Sequence, residues 1–309
     1  MNTLIKAIQV FQKPNTGLRI ISAINKSPLR HVTKFVATTA KYSRFAKRKS
    51  YYDSLSLTNA EQIAVQEMET QGYTDLTKLV SPEKLAELEA HCLPKLANAE
   101  AARERELNKN KDFWIRLSDE DIGDKVLDSE NPMVKYALQE SVLKIACGYL
   151  RQAAFLDYVL LTLSVPSPGP LRSSQLWHFD QDDTKMLKMF VYLTDVNEIG
   201  SGPFTFFNKE DSAKVKNSFI MRHLQDDEIF ASIPAERRVQ MIRPKLSCFM
   251  VDTTKCYHMG SRLTPGHHRL LYTALFTGIP SNYPWGGREK IRIATANLSP
   301  LQLQALTNS

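Results

Sequence analysis

Cysteine is scarce in this sequence, and long apolar runs are absent. The four cysteines, Cys92, Cys147, Cys248 and Cys256, include no closely spaced pair. Their spacing argues against a disulfide scaffold, a zinc ribbon and an iron–sulfur cluster. No stretch of about 18 apolar residues occurs, so we expect no transmembrane helix. Internal repeats and low-complexity segments are also lacking.

Acidic residues are missing from the first 52 positions, which carry 11 of the 40 lysines and arginines. The other 257 residues hold the remaining 29 basic side chains against all 33 acidic ones. The chain is therefore a mildly acidic body with a basic N-terminal arm, residues 1–52. Of its 309 residues 43% are hydrophobic and 24% are charged, a globular composition that excludes a wholly disordered chain.

The basic arm has apolar residues at helical spacing. They form two stripes, Leu4, Ile8 and Phe11, then Val32, Phe35, Val36 and Thr39. A basic amphipathic helix of this kind binds an anionic membrane surface, and we expect residues 1–50 to do so. The alternatives are a mitochondrial transit peptide, a nucleic-acid-binding arm and a helix packed on the acidic body. We therefore expect a cytoplasmic protein, peripheral on a membrane, or a mitochondrial one if the arm is a transit peptide.

Residues 53–157 predict a helical support region. Start signals for three helices occur at residues 57–61, 81–83 and 131–132. The second combines a serine cap, a proline in the first turn and an acid near the positive end of the helix. We expect a long, largely solvated helix from there to about Asn108.

Residues 158–280 predict a core of short strands. The candidates are residues 158–165, 186–193, 202–207, 246–251 and 269–277. A polar, charged insert at 208–240 interrupts them, and residues 281–309 form a C-terminal tail. Helices followed by many short strands indicate an α+β chain whose second part is a sandwich or a barrel.

One group of residues has the composition of a metal site. His178 and Asp180 can reach one ion together, because side chains two apart in an extended chain share a face. His258 follows about 80 residues later, and Arg269 comes eleven residues after it. Two histidines and one carboxylate leave three positions on a metal open, as in non-haem Fe(II) oxygenases. The guanidinium of Arg269 has donors in a fixed fork, which pairs with a carboxylate better than the ammonium group of a lysine would.

This order of residues resembles the Fe(II)/2-oxoglutarate-dependent dioxygenases, most closely the phytanoyl-CoA dioxygenase-like family. The resemblance rests on His178, Asp180, His258 and Arg269 at the matching offsets. Residues 202–204 add the Gly-Pro turn into a strand that such proteins often have. The arm and the last thirty residues are not covered.

The resemblance implies a double-stranded β-helix, the cupin-like jelly-roll barrel, with flanking N-terminal helices. It implies that His178, Asp180 and His258 hold Fe(II), with 2-oxoglutarate and O2 as cosubstrates. It also implies that Arg269 pairs with the far carboxylate of 2-oxoglutarate. Asp180 favours hydroxylation, since related halogenases have no carboxylate at that position.

Two more residues are candidates for the cosubstrate site. Lys188 lies on a strand near the metal loop and could meet a carboxylate, although a solvated lysine is the commoner outcome. Thr273 could supply the hydroxyl that the family places two residues after its arginine, where this chain has Leu271. We expect His223, in the insert, to be solvated, and Trp177 either to line the pocket or to lie in the core.

The expected function is a hydroxylase that decarboxylates 2-oxoglutarate to succinate. The barrel itself does not identify the substrate. The basic arm favours a substrate presented at an anionic membrane, such as a lipid or a lipid-linked sugar, and another small molecule is the alternative. We do not expect nucleic acid as a partner. The alternative is a non-catalytic metal-binding barrel that acts as a membrane-surface or nucleic-acid adaptor through its arm.

Overall fold

The computed structural model describes residues 23–106, 112–117, 126–282, 291–294 and 297–307. The α-helices in chain order are α1 Leu29–Ala40, α2 Tyr42–Asp53, α3 Asn59–Thr70, α4 Pro82–Cys92, α5 Ala99–Glu106, α6 Pro132–Ala137, α7 Glu140–Leu150, α8 Lys209–Ser212, α9 Asp226–Phe230 and α10 Pro300–Leu306. The strands are β1 Tyr73–Asp75, β2 Trp114–Arg116, β3 Val126–Asp128, β4 Phe155–Ser164, β5 Met186–Tyr192, β6 Thr205–Phe206, β7 Val239–Gln240, β8 Cys248–Val251, β9 His258–Met259, β10 Arg269–Thr277 and β11 Ile291–Ile293.

Two antiparallel sheets form the barrel. The larger has the strand order β1-β8-β5-β10-β4-β2, and the smaller has the order β7-β6-β9. Isolated bridges pair Trp177 with Leu224 and His178 with His258, so the loop that carries His178 extends the edge of the smaller sheet. Neighbouring strands that are far apart in sequence are typical of a jelly roll. The predicted α+β architecture is confirmed.

Alternation along the long strands separates the two faces of the larger sheet. On β10, Arg269, Leu271 and Thr273 face the interior between the sheets, and Leu270 and Tyr272 face the helices. Successive side chains of a strand point to opposite faces, which gives this period of two. Both faces are buried, so each leucine on β10 contributes about 1.5–3 kcal/mol through its burial.

A helical layer covers the outer face of the larger sheet. Helices α3, α4, α6, α7 and α10 share one apolar cluster with it. Helix α3 begins in a capping box: the Thr58 hydroxyl accepts from the Glu61 N–H, and the Glu61 carboxylate accepts from the Thr58 N–H. The tail joins the same layer, since Leu301 and Leu306 are buried and β11 pairs in parallel with β3.

Two helix predictions were wrong in extent. The helix predicted to reach Asn108 ends at Cys92, continues as the 3-10 turn Leu93–Asn98, and resumes as α5. Pro94 explains the break, because proline has no N–H and disfavours helical backbone at the residue before it. The region is also less solvated than expected, since Leu88 is fully buried. The helix that residues 131–132 open, predicted to run through Leu143 and Ile145, is likewise two helices, α6 and α7.

Part of the arm is packed structure. On α2, Arg48 is fully buried, and burial lowers its pKa to about 10. Its guanidinium donates to four backbone carbonyls, those of Ala153, Ala154, Gln304 and Thr307. These carbonyls belong to the turn before β4 and to the end of α10, so Arg48 joins the arm to the body.

The structure describes one of the two apolar stripes of the arm. The first stripe, Leu4, Ile8 and Phe11, lies outside the described residues. The second is on α1, which forms a helix as predicted. Among the helices that the structure describes, none is both long and apolar enough to cross a bilayer.

Candidate metal centre and its pocket

A pocket of about 420 Å³ lies between the two sheets. His178, Asp180 and His258 line it, and one potential ligand atom of each lies within 4.8 Å of the other two. Backbone hydrogen bonds join His178 and His258 in both directions, with N···O distances of 3.0 and 2.9 Å. The N–H of Asp180 donates to the Thr253 carbonyl at 2.9 Å. The fold thus brings together the three residues predicted as metal ligands and holds their backbone.

Both histidines have one ring nitrogen fixed by a backbone carbonyl. Nδ1 of His178 lies 2.8 Å from the Leu176 oxygen, and Nδ1 of His258 lies 3.0 Å from the Cys256 oxygen. A carbonyl only accepts, so each Nδ1 carries the proton and each Nε2 keeps its lone pair. Metal-binding histidines are ordinarily oriented in this way.

Burial favours the neutral form of both rings. Burial lowers the pKa of His178 to about 3, and the neighbouring His258 adds to the shift. Burial also lowers the pKa of His258, against the opposing effect of Asp180. A neutral imidazole is the form that binds metal.

Lys188 forms a buried ion pair with Asp180. Its Nζ lies 2.6 Å from Oδ2 of Asp180, and the two side chains are only 17% and 14% exposed. Burial alone would raise the pKa of Asp180, but Lys188 and the two histidines hold it well below its ordinary value. Burial would likewise lower the pKa of Lys188, and Asp180 raises it instead. The lysine is therefore a charged part of the pocket and not a solvated side chain.

Arg269 brings a second cation to the pocket. Its buried guanidinium donates to the Gly202 carbonyl and, at 3.3 and 3.2 Å, to the hydroxyls of Ser164 and Ser261. Burial lowers the pKa of Arg269, and the Tyr192 phenol opposes the shift. Within the described ranges, Nε of Arg269 has no hydrogen-bond partner. A buried guanidinium that lines a pocket is a suitable partner for a carboxylate.

The residues that follow His258 shape the space beside Arg269. A side chain at Gly260 would begin 3.6 Å from Nη2 of Arg269, so glycine keeps this approach open. Ser261 has a φ of 59°, a left-handed conformation that costs a residue with a Cβ about 1–3 kcal/mol. That conformation places its hydroxyl 2.9 Å from that of Ser164. The two serines therefore form a pair that holds the guanidinium.

The sequence did not predict several of the residues that line the pocket. His223 is exposed, as expected, yet its ring centroid lies 4.9 Å from that of His178 and it lines the pocket. Asn25 and Lys26, from the arm, line it as well. The Asn25 amide reaches the Asp182 carbonyl, 157 positions away, at 3.5 Å. No local signal marks such residues, because distant segments supply their partners.

Of the remaining candidate residues, one lines the pocket and one lies outside it. Thr273 lines the pocket, as does Leu271. Trp177 is fully buried outside the pocket, and its Nε1 donates to Asp226 at 2.7 Å. Its alternative assignment to the core is the one observed.

Comparisons with known proteins bear on the fold. The sequence matches no protein-family model, and a search of the curated proteins found no match. Among similar solved structures is EctD from S. alaskensis with 2-oxoglutarate and 5-hydroxyectoine: 16% identity and a TM-score of 0.52, over 77% of this chain and 83% of that one. Another is the epimerase SnoN in complex with Fe3+, alpha ketoglutarate and nogalamycin RO: 15% identity and a TM-score of 0.45, over 72% and 85%.

At this level of identity, the likeness to EctD shows a shared fold alone. It confirms the predicted double-stranded β-helix fold. The chemistry of this chain must be argued from its own residues.

Proposed function

We propose that the protein is an Fe(II)/2-oxoglutarate-dependent oxygenase. One observation carries the proposal: a pocket holds two histidines and a carboxylate within ligand distance of one another, together with a buried arginine. A metal site without oxygenase chemistry has no need of a buried arginine beside it. The shared fold with EctD agrees with this assignment.

The donor set fits Fe(II). The two Nε2 atoms keep their lone pairs because each Nδ1 bonds a carbonyl, and Asp180 is ionised. Two imidazoles and one carboxylate with open positions are the ligand set of non-haem iron oxygenases. The bound iron, with 2-oxoglutarate and O2, supplies the oxidising power, and succinate and CO2 are the products of the cosubstrate.

The residues of the protein bind and orient the cosubstrate and the metal ligands and shield them from water. Arg269 would pair with the far carboxylate of 2-oxoglutarate through its fork of donors, and Ser164 and Ser261 keep the fork in place. Thr273, on the same face of β10, offers a hydroxyl to the cosubstrate. Lys188 stays ion-paired with Asp180 and so favours one orientation of that carboxylate, a role that residues in contact with metal ligands commonly have.

Hydroxylation is the reaction we propose, because a carboxylate is kept at position 180. For the substrate we propose a small organic molecule, a lipid or lipid-linked sugar foremost. The adaptor without catalysis remains the alternative if the cosubstrate does not bind.

The test is succinate formation from 2-oxoglutarate by the purified protein with Fe(II) in air, without added substrate. We expect slow turnover that needs both iron and O2, is abolished in His258→Ala, and is strongly reduced in Arg269→Ala. His267→Ala is the matched control, because this histidine pairs with Glu198 at 3.3 Å outside the pocket. Turnover that survives in His258→Ala, or none in the folded wild type, would contradict the proposal.

A further inference from the structure

Helix α1 turns its apolar face to solvent and its polar face to the body. Its apolar side chains Leu29, Val32, Phe35 and Val36 are between 48% and 71% exposed. At about 100° per residue they share one arc of about 120°. A surface helix ordinarily turns such a stripe toward the core. Here the stripe faces away from the body.

The polar face of α1 is the one that contacts the body. Arg30 is buried, and Lys34 forms an ion pair with the buried Asp183 at 2.9 Å. The Asn282 amide donates to the Arg30 carbonyl at 2.8 Å. These contacts fix the rotation of the helix, so the apolar stripe cannot turn inward without breaking a buried ion pair.

A second exposed apolar pair, Phe219 and Ile220, belongs to the insert. The next residue, Met221, donates its N–H to the Lys26 carbonyl at 2.8 Å, which ties the insert to the arm. Lys26 and its neighbour Asn25 line the metal pocket. The exposed apolar residues of the insert and of α1 therefore flank a segment that forms the rim of the pocket.

We propose that these residues are a docking face for an anionic lipid bilayer. The docking face consists of Leu29, Val32, Phe35, Val36, Phe219 and Ile220. The arm has no acidic residue in positions 1–52, and among its described basic residues Lys26, Lys41, Arg44 and Lys47 are exposed. Large apolar side chains among lysines and arginines are the pattern that inserts at the surface of an anionic bilayer. A second copy of this chain would present the same basic arm, so repulsion opposes self-association through this face.

Docking through this face brings the rim of the pocket to the lipid surface. The substrate is then an amphipathic molecule of the bilayer, whose reacting part enters the pocket beside Asn25 and Lys26. This conclusion about the substrate rests on the proposed oxygenase function. The docking itself does not, since it needs neither iron nor 2-oxoglutarate.

The experiment is sedimentation of the whole 309-residue chain with vesicles of phosphatidylcholine, with and without phosphatidylserine. We expect binding to the anionic vesicles that weakens at high salt. The triple variant Val32→Ser/Phe35→Ser/Val36→Ser should bind at least about tenfold more weakly, because it removes the inserted apolar surface. Point substitutions are the sharper test, since deletion of residues 1–50 also removes Arg48 and the pocket rim.

Ile199→Ser/Ile242→Ser is the matched control, because these exposed isoleucines lie outside the docking face. It should bind vesicles like the wild type. Equal sedimentation of the triple variant and the wild type, or no sedimentation of the wild type, would overturn the proposal. So would a dimer of the wild type that the triple variant lacks, in light scattering without lipid. Succinate formation by the triple variant, measured without vesicles, shows separately whether the oxygenase proposal stands.

Discussion

Substitution of Lys188 by methionine tests whether Lys188 compensates the charge of Asp180 before metal binds. Methionine keeps most of the length of the side chain and removes its charge. Asp180 then loses the cation 2.6 Å from its Oδ2 and remains a largely buried carboxylate. Breaking a buried pair by removing one partner costs about 3–5 kcal/mol, because the other charge is left uncompensated.

A divalent metal supplies positive charge to the same carboxylate. The loss of stability should therefore be large in the metal-free protein and much smaller when the site is loaded. At roughly 2 °C per kcal/mol for a chain of this size, we expect the metal-free Tm to fall by about 6–10 °C. With saturating Fe(II) under anaerobic conditions, the difference from the wild type should shrink by at least about half.

The assay is thermal unfolding of both proteins, with chelator and with Fe(II). Lys49→Met is the control, because Lys49 pairs with Asp53 at the same distance, 2.6 Å, while both side chains are about half exposed. Exposed pairs contribute about 0–1 kcal/mol, so this variant should lose little stability and respond to metal like the wild type. A Tm difference for Lys188→Met that is the same with and without metal would refute the reasoning.

Three further predictions follow from other parts of the structure. Arg48→Met should destabilise the protein by about 3 kcal/mol or more in urea unfolding, because it leaves buried carbonyls without their charged donor; an unchanged midpoint would contradict this. Ser164→Ala should raise the Kd for 2-oxoglutarate about three- to tenfold in anaerobic titration, with Fe(II) affinity unchanged; an unchanged Kd would remove the serine from the account. Burial lowers the pKa of His178 to about 3 and also lowers that of His258. Between about pH 6.5 and 3, the unfolded chain, whose histidines have a pKa near 6.5, therefore binds more protons than the folded chain. The stability of the metal-free protein should fall as the pH drops through this range. His178→Gln should show a weaker fall in urea midpoints, and an identical pH profile would count against a buried neutral ring.

Much of the site could be predicted because its signals are local. His178 and Asp180 share a face through the two-residue period of extended chain. Arg269 and Thr273 face the pocket together for the same reason, as inward positions of β10. The break at Pro94 was equally local, and proline chemistry predicts it when it is weighed against the helix-forming residues around it.

Other features depend on contacts between distant segments. Lys188 is buried because β5 places it opposite the loop that carries Asp180, and nothing in its neighbours distinguishes it from a solvated lysine. Asn25 reaches the pocket only because the arm packs across the metal loop. The reversed orientation of α1 follows from Lys34 meeting the buried Asp183, a pairing that helical periodicity does not contain.

The central claim is that His178, Asp180 and His258 hold Fe(II) beside a cosubstrate bound by Arg269. The most direct measurement is an anaerobic titration of Fe(II) and 2-oxoglutarate that follows the visible metal-to-ligand charge-transfer band. The account predicts a band that requires both additions and that weakens in Arg269→Ala. A folded protein that gives no band, or a band unaffected by loss of Arg269, would contradict it.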